Sequence, residues 1–199
     1  MRVDFNVHTT FGRGKNTAAE MASIAKKKGL DAIAITDLGV TDGWRNFNPR
    51  NFVVIPGVTI NTDMGPVLAF GADKLPEETS FTGVKKWAKS WGYLLVPAHF
   101  NDKNSLGEIA LKDFKIVEAI NGRSPPWACK EAVNKALSAK VKYMSNSGAR
   151  STSELGEFYN TVDVETEDWE DIIKEVRKGK FEPRLKFPGI GSFLKSKLF

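Results

Sequence analysis

Two histidines, one cysteine and three tyrosines in 199 residues leave little material for several common kinds of site. The lone cysteine, Cys129, excludes an internal disulfide and fits a reducing compartment, so a cytoplasmic location is expected. Any imidazole base must be His8 or His99. Ser145, Ser147 and Cys129 are potential nucleophiles, yet nothing local supports a triad around them. No apolar run approaches membrane-spanning length; Leu94-Leu95-Val96-Pro97-Ala98 suits a buried strand. Met1-Arg2-Val3-Asp4 places an acid where a signal peptide would continue apolar, so secretion is not expected. Low-complexity tracts and RNA-binding signatures are also missing.

What is present suits one domain with a full core. Apolar residues make up 41% of the chain, and the mean hydropathy is −0.30. Net charge is +5 and the pI about 9.2. The excess gathers at Lys26-Lys27-Lys28, at Lys85-Lys86 and in a tail from Arg184 to Lys197. Two readings stay open: solvated helix faces with a basic tail, or attraction to polyphosphate or nucleic acid through counterion release.

Short β-branched runs alternate with helical patterns. Strands are expected at Arg2–Val7, with Val3, Phe5 and Val7 on one face, and at Asp31–Thr36. Others are expected at Phe52–Ile55, Val58–Ile60, Val67–Gly71, Tyr93–Pro97, Ile116–Ile120, Tyr143–Asn146 and Thr161–Val164. Thr17-Ala18-Ala19-Glu20 and Ser151-Thr152-Ser153-Glu154 read as capping boxes. Helices are expected over Thr17–Lys28, Thr82–Trp91, Pro126–Ala139 and Trp169–Lys178. Trp87 and Trp91, at i and i+4, read as one buried helix face. Strands alternating with helices imply parallel βα units, and about seven such units favour a small α/β barrel. In such folds functional groups sit just past the carboxyl ends of strands. That rule selects Asn6, His8, Asp37, Thr59, His99, Glu118, Asn121 and Asn146. Gly12-Arg13-Gly14-Lys15 lacks the Gly-Lys-Ser/Thr spacing of a phosphate loop.

Six segments occur in an order that resembles the PHP (polymerase and histidinol phosphatase) family. They are Asp4-Phe5-Asn6-Val7-His8-Thr9, Gly29 to Leu38, Ile55-Pro56-Gly57-Val58-Thr59-Ile60, Ala98-His99-Phe100, Val117-Glu118-Ala119-Ile120-Asn121-Gly122, and Ser145-Asn146-Ser147-Gly148 followed by Glu154-Leu155-Gly156. The likeness is to short stand-alone phosphoesterase members. It implies a distorted (β/α)7 TIM-like barrel over residues 1–183, with residues 184–199 as a basic and apolar tail. It also implies a site whose metals activate water and neutralise phosphoryl charge.

Carried over by position, the family's metal ligands are mostly replaced here. The first histidine of the opening pair is Asn6; the second is kept as His8. An aspartate falls on Arg13. Asp37 is kept, but the histidine after it is Leu38. The bridging glutamate is Thr59, His99 is kept, and the next carboxylate is Glu118. The closing aspartate and histidine are Asn146 and Gly148.

Three readings follow. In the first, the chain has lost the multinuclear site and binds a phosphate-containing small molecule or nucleic acid without efficient hydrolysis, through Arg13, Lys15, Arg123 and Arg150; alternatively, Arg13 pairs internally with Asp37 or Glu118. In the second, it is a metal-dependent phosphoesterase with a reduced site of His8, His99 and Glu118 holding one zinc, iron or manganese ion. In the third, it serves in an RNA complex, as the barrel protein of archaeal ribonuclease P does. A protein partner at the tail, Phe187 to Phe199, is a further expectation.

Overall fold

The computed structural model describes residues 1–191 apart from 46, 48 and 50, so Lys195, Lys197 and the rest of 192–199 lie outside the described residues. In chain order the elements are β1 (Arg2–Val7), α1 (Ala18–Lys27), β2 (Ala32–Ile35), α2 (Asp42–Arg45), β3 (Val53–Thr62), β4 (Gly65–Phe70), α3 (Phe81–Trp91) and β5 (Leu94–Pro97). Then come α4 (Glu108–Asp113), β6 (Ile116–Asn121), α5 (Pro126–Ser138), β7 (Lys142–Asn146), a 3-10 turn at Thr152–Glu154, β8 (Asn160–Val162), α6 (Trp169–Arg177) and β9 (Phe181–Pro183).

The architecture is mixed α/β around a curled sheet. Seven strands run in the order β5-β4-β3-β2-β1-β8-β9, and β6 and β7 form a second, parallel pair. Here the expected closed barrel of parallel units is corrected to a coarser form. β1, β2 and β3 are parallel, but β4 is antiparallel to both β3 and β5, and β8 is antiparallel to β1. The reason is local. Phe52–Ile55 and Val58–Ile60, expected as two strands, are one long strand, β3, whose tight turn at Asp63-Met64 sends β4 straight back. A hairpin leaves no room for the crossover helix that a parallel neighbour requires.

Backbone hydrogen bonds join the two sheets at two places. His8 N–H donates to Ala149 O at 2.8 Å, and Phe100 N–H donates to Glu118 O at 3.3 Å. These bring β7 beside β1 and β6 beside β5 at their carboxyl ends.

Burial explains why the segments sit where they do. Val3 and Phe5 pack with Leu68, Phe70, Met144 and α6; Phe5 and Phe70 meet edge to face at 5.4 Å. Val7 packs elsewhere, against Ala18, Met21, Ala22 and Ala25 of α1. The expectation of one shared face for Val3, Phe5 and Val7 therefore fails. The register of β1 against β2 shifts between Asp4 and Val7, and an extra residue in a ladder re-aims the side chains after it. β6 carries a similar irregularity between Glu118 and Ile120. Both interruptions fall at the rim, on the residues of interest.

Both capping boxes form as read: Glu20 N–H donates to Thr17 Oγ1 at 3.3 Å, and Thr17 N–H donates back to Glu20 at 2.8 Å. α6 buries Ile172, Ile173 and Val176. Trp91 departs from expectation: it is 56% exposed with Lys74 over its ring, while Trp87 alone packs inward on Tyr93. The start of the tail lies on the fold, with Arg184 N–H donating to Tyr159 O at 2.9 Å and Phe187 against the core.

Candidate functional site

The carboxyl ends of the strands surround a cavity of about 920 Å³. Asn6, His8, Arg13, Leu38, Thr59, His99, Arg123, Gly148 and Arg150 all line it, so most of the sequence-selected residues converge. Glu118, Asn146 and Asp37 lie buried beneath or beside it. Lys15 stands apart on an exposed loop, its N–H donating to Arg150 O at 2.7 Å.

The floor is a network of amides around one carboxylate. Glu118 Oε1 accepts from Asn6 Nδ2 at 3.0 Å and from Asn146 Nδ2 at 2.8 Å. Its Oε2 accepts from Asn121 Nδ2 at 3.0 Å and from the His99 N–H at 2.8 Å. Backbone donors settle which way two of these amides point. Phe5 N–H donates to Asn146 Oδ1 at 3.2 Å, and Arg123 N–H donates to Asn121 Oδ1 at 2.9 Å. Each such carbonyl is held by an N–H, so each NH₂ must face Glu118. Thr36 Oγ1 does the same for Asn6 Oδ1 at 3.2 Å. Asn160, which the motifs did not mark, accepts from Ser145 N–H at 2.9 Å and donates to Asn146 Oδ1 at 2.9 Å. His99 has φ +32, a costly region for a residue with a Cβ; the bend delivers its N–H to Glu118.

These residues do not fit a metal ion. All four principal lone-pair directions of Glu118 are taken by N–H donors. Among the described residues no three His, Cys, Asp or Glu side chains are placed to hold a cation. Thr59 spends its hydroxyl on Thr36 O at 2.7 Å, and Leu38 offers only a backbone bridge to Thr59. Gly148 has φ +60, and a Cβ there would meet Asn121 Oδ1 at 2.6 Å. A ligating side chain at 148 would collide with the amide that holds Glu118. The reduced site of His8, His99 and Glu118 is therefore not formed by this geometry.

Above the floor the chemistry changes. Arg13, Arg123 and Arg150 come from the loops after β1, β6 and β7 and line the cavity with His8, near enough for their charges to act on its ring. Burial first, then Arg150, Arg13, Arg123 and His99, lower the His8 pKa to about 3, so its ring is neutral at ordinary pH. Its Nδ1 is buried without a hydrogen-bond partner. The Arg150 pKa is lowered by burial and then by Arg123 and Arg13, while Glu154 opposes the shift. Arg150 Nε is likewise buried and unpartnered. Glu154 is the nearby counter-charge: it pairs with Arg123 Nη1 and accepts from Arg150 N–H at 2.6 Å. Arg13 is exposed, and no hydrogen bond or ion pair to it forms among the described residues. The expected internal pairing of Arg13 with Asp37 or Glu118 fails because both acids are engaged. Asp37 accepts from the Thr9 N–H at 2.6 Å and from the Thr9 hydroxyl. Burial raises the Asp37 pKa against those bonds.

Asp4 opens the first motif but is not among the residues the strand-end rule selects. It is fully buried, and burial raises its pKa to about 7 against hydrogen bonds from Ser147 and Asn6. Its Oδ1 accepts from Ser147 N–H at 3.1 Å; its Oδ2 has no partner. The only signal in the sequence was its place two residues before Asn6 on a strand with both faces covered.

No protein-family model and no curated protein matches the sequence. Solved structures do share its fold. A two-domain protein from Bacteroides vulgatus containing a predicted PHP-like metal-dependent phosphoesterase aligns with TM-score 0.67 and 15% identity over 100% of this chain and 69% of its own. PsfC from Pseudomonas syringae aligns with TM-score 0.73 and 13% identity over 99% and 96%. An amidohydrolase from Chromobacterium violaceum, solved with bound sulfate and no metal, aligns with TM-score 0.65 and 13% identity over 88% and 97%. At these identities the likeness is one of fold, and that fold is PHP-like.

Proposed function

We propose that this chain is a PHP-like protein with a degenerate metal site, which binds a phosphate-containing ligand without efficient hydrolysis. Within this reading residues 1–183 are the binding unit and 184–199 an appended tail. The observation that carries it is the convergence of Arg13, Arg123 and Arg150 on a neutral, buried His8 with Glu154 as the nearby counter-charge. Three guanidiniums repel one another, and a phosphoryl group between them replaces repulsion with charge-assisted hydrogen bonds. The neutral His8 adds an imidazole with no competing charge. The Chromobacterium violaceum neighbour was solved with a tetrahedral oxyanion, sulfate, bound.

The role of the amide floor is then structural. Asn6, Asn121 and Asn146 satisfy the Glu118 oxygens with N–H donors and so tie β1, β6 and β7 together. Efficient hydrolysis in a phosphoesterase relies on metal-activated water, and among the described residues no three His, Cys, Asp or Glu side chains are placed to hold a metal.

Titration calorimetry with inorganic phosphate tests the reading. Binding is expected without added metal, unchanged by a chelator and weaker at high salt. Arg150→Gln is expected to weaken it about 10- to 100-fold, the worth of one hydrogen bond to a charged group. Metal-stimulated phosphate release from common phosphomonoesters would overturn it.

A further inference from the structure

We infer that the ligand is a hydroxyl-rich small molecule carrying a single terminal phosphate, which enters phosphate first and leaves an uncharged end at the far wall. The inference rests on the phosphate-binding reading above and adds the ligand class.

Size is the first argument. A cavity of about 920 Å³ lies at the upper end of small-molecule sites, roughly 300–1,000 Å³, and a phosphoryl group fills only a small part of it. Charge is the second. The three arginines stand on one arc, because the loops after β1, β7 and β6 are neighbours around the curl. The β3–β4 hairpin and the loop after β5 complete the ring; the β5 loop borders the β6 loop, where Asp102 meets Ser124, and the hairpin lies beyond it. On these two segments the charges are Asp63, Asp102 and Lys103, a net of one negative.

The two acids are held in place. Asp63 Oδ1 accepts from the Phe81 N–H at 2.7 Å. Asp102 Oδ2 accepts from Ser124 Oγ at 2.6 Å and sits 3.7 Å from His99 Nδ1. Asn61 and Asn104 add amide groups on the same side.

A wall of carboxylates and amides accepts from and donates to hydroxyl groups, and it repels a second phosphate. A nucleic-acid strand carries a phosphate at every nucleotide. A strand crossing this cavity would press one against Asp63 or Asp102. The bipolar lining therefore selects a sugar or polyol monophosphate over a bisphosphate or an oligonucleotide.

The test is a titration series on the full chain with four probes: inorganic phosphate, ribose 5-phosphate, fructose 1,6-bisphosphate and a short single-stranded DNA. Ribose 5-phosphate is expected to bind about tenfold more tightly than phosphate, the worth of one or two net hydrogen bonds. The bisphosphate is expected to bind about tenfold more weakly than ribose 5-phosphate, as a second phosphate of about −1.5 to −2 charge near the acids implies. Asp63→Asn, which keeps the acceptor for Phe81, is expected to shrink that second gap to about threefold or less. Phosphate and ribose 5-phosphate binding equally, or the bisphosphate or DNA binding more tightly than ribose 5-phosphate, would overturn this inference alone. Failure of all four probes to bind would instead overturn the phosphate reading. The wild-type series decides the matter even where Asp63→Asn folds poorly.

Discussion

Two polar clusters meet at the carboxyl end of the curled sheet, and they differ in one respect. On the floor, Glu118 has four N–H donors for its two oxygens. In the cavity above, Glu154 pairs with Arg123 and accepts from the Arg150 N–H, and Arg150 Nε and His8 Nδ1 have no partner. A buried polar cluster that satisfies itself rigidifies a fold; one left short of counter-charge is poised for something from outside. The floor is therefore read as architecture and the cavity as recognition.

The largest expected effect breaks the floor. Glu118→Ala leaves up to four buried N–H groups without an acceptor, each costing roughly 1–3 kcal/mol. A loss of about 4 kcal/mol or more is expected in urea unfolding, and roughly 8–16 °C in thermal midpoint. A loss below about 1 kcal/mol would show that the network contributes little.

Next in size is a pH effect that sets the two levels against each other. The folded Asp4 pKa, about 7, lies above its ordinary 3.8, so the native state holds a proton that the unfolded chain has released. Its contribution is greatest below pH 3.8 and is lost as pH rises towards 7. The folded His8 pKa, about 3, lies below its ordinary 6.5, so its contribution is present above pH 6.5 and is lost as pH falls towards 3. Between about pH 4 and 6.5 the two slopes oppose and nearly cancel. Asp4→Asn removes one of them. Its stability relative to wild type is expected to climb with pH from 4 to 7, by about 4 kcal/mol at most. Urea midpoints of both proteins across that range check it, and parallel curves would contradict it.

The smallest effect sharpens the comparison. Arg150→Gln, expected to lose phosphate affinity, is not expected to lose stability: without ligand its midpoint should stay within about 0.5 kcal/mol of wild type or rise. Removing one of three mutually repelling cations costs little when its Nε has no partner. A drop as large as that of Glu118→Ala would make the arginines part of the architecture after all.

Much of this was legible in the chain. Both capping boxes formed, and the helices starting near Ala18, Phe81, Pro126 and Trp169 stand where their periodicity put them. The strand-end rule gathered Asn6, His8, Thr59 and His99 at one cavity. Less visible were β9 and the short helices α2 and α4, whose segments are too brief to show a period. The β4 hairpin was hidden because an apolar run reads alike in parallel and antiparallel company. Asn160 carried no signal, since one asparagine before a short strand looks like any turn residue.

The sequence by itself determined the alternation of strands and helices, which residues stand at positions 6, 13, 38, 59, 146 and 148 of the strand ends and loops, and the basic excess. Those are matters of local pattern and composition. Tertiary structure alone decided that Asn6, Asn121 and Asn146 point their NH₂ groups at Glu118 and that Asp4 is sealed from water. It alone decided, too, that three arginines from distant loops face one histidine. A hydrogen bond has direction and a charge feels its surroundings through space, so both depend on how the fold places neighbours, some of them, like Asn6 and Glu118, 112 residues apart in the chain.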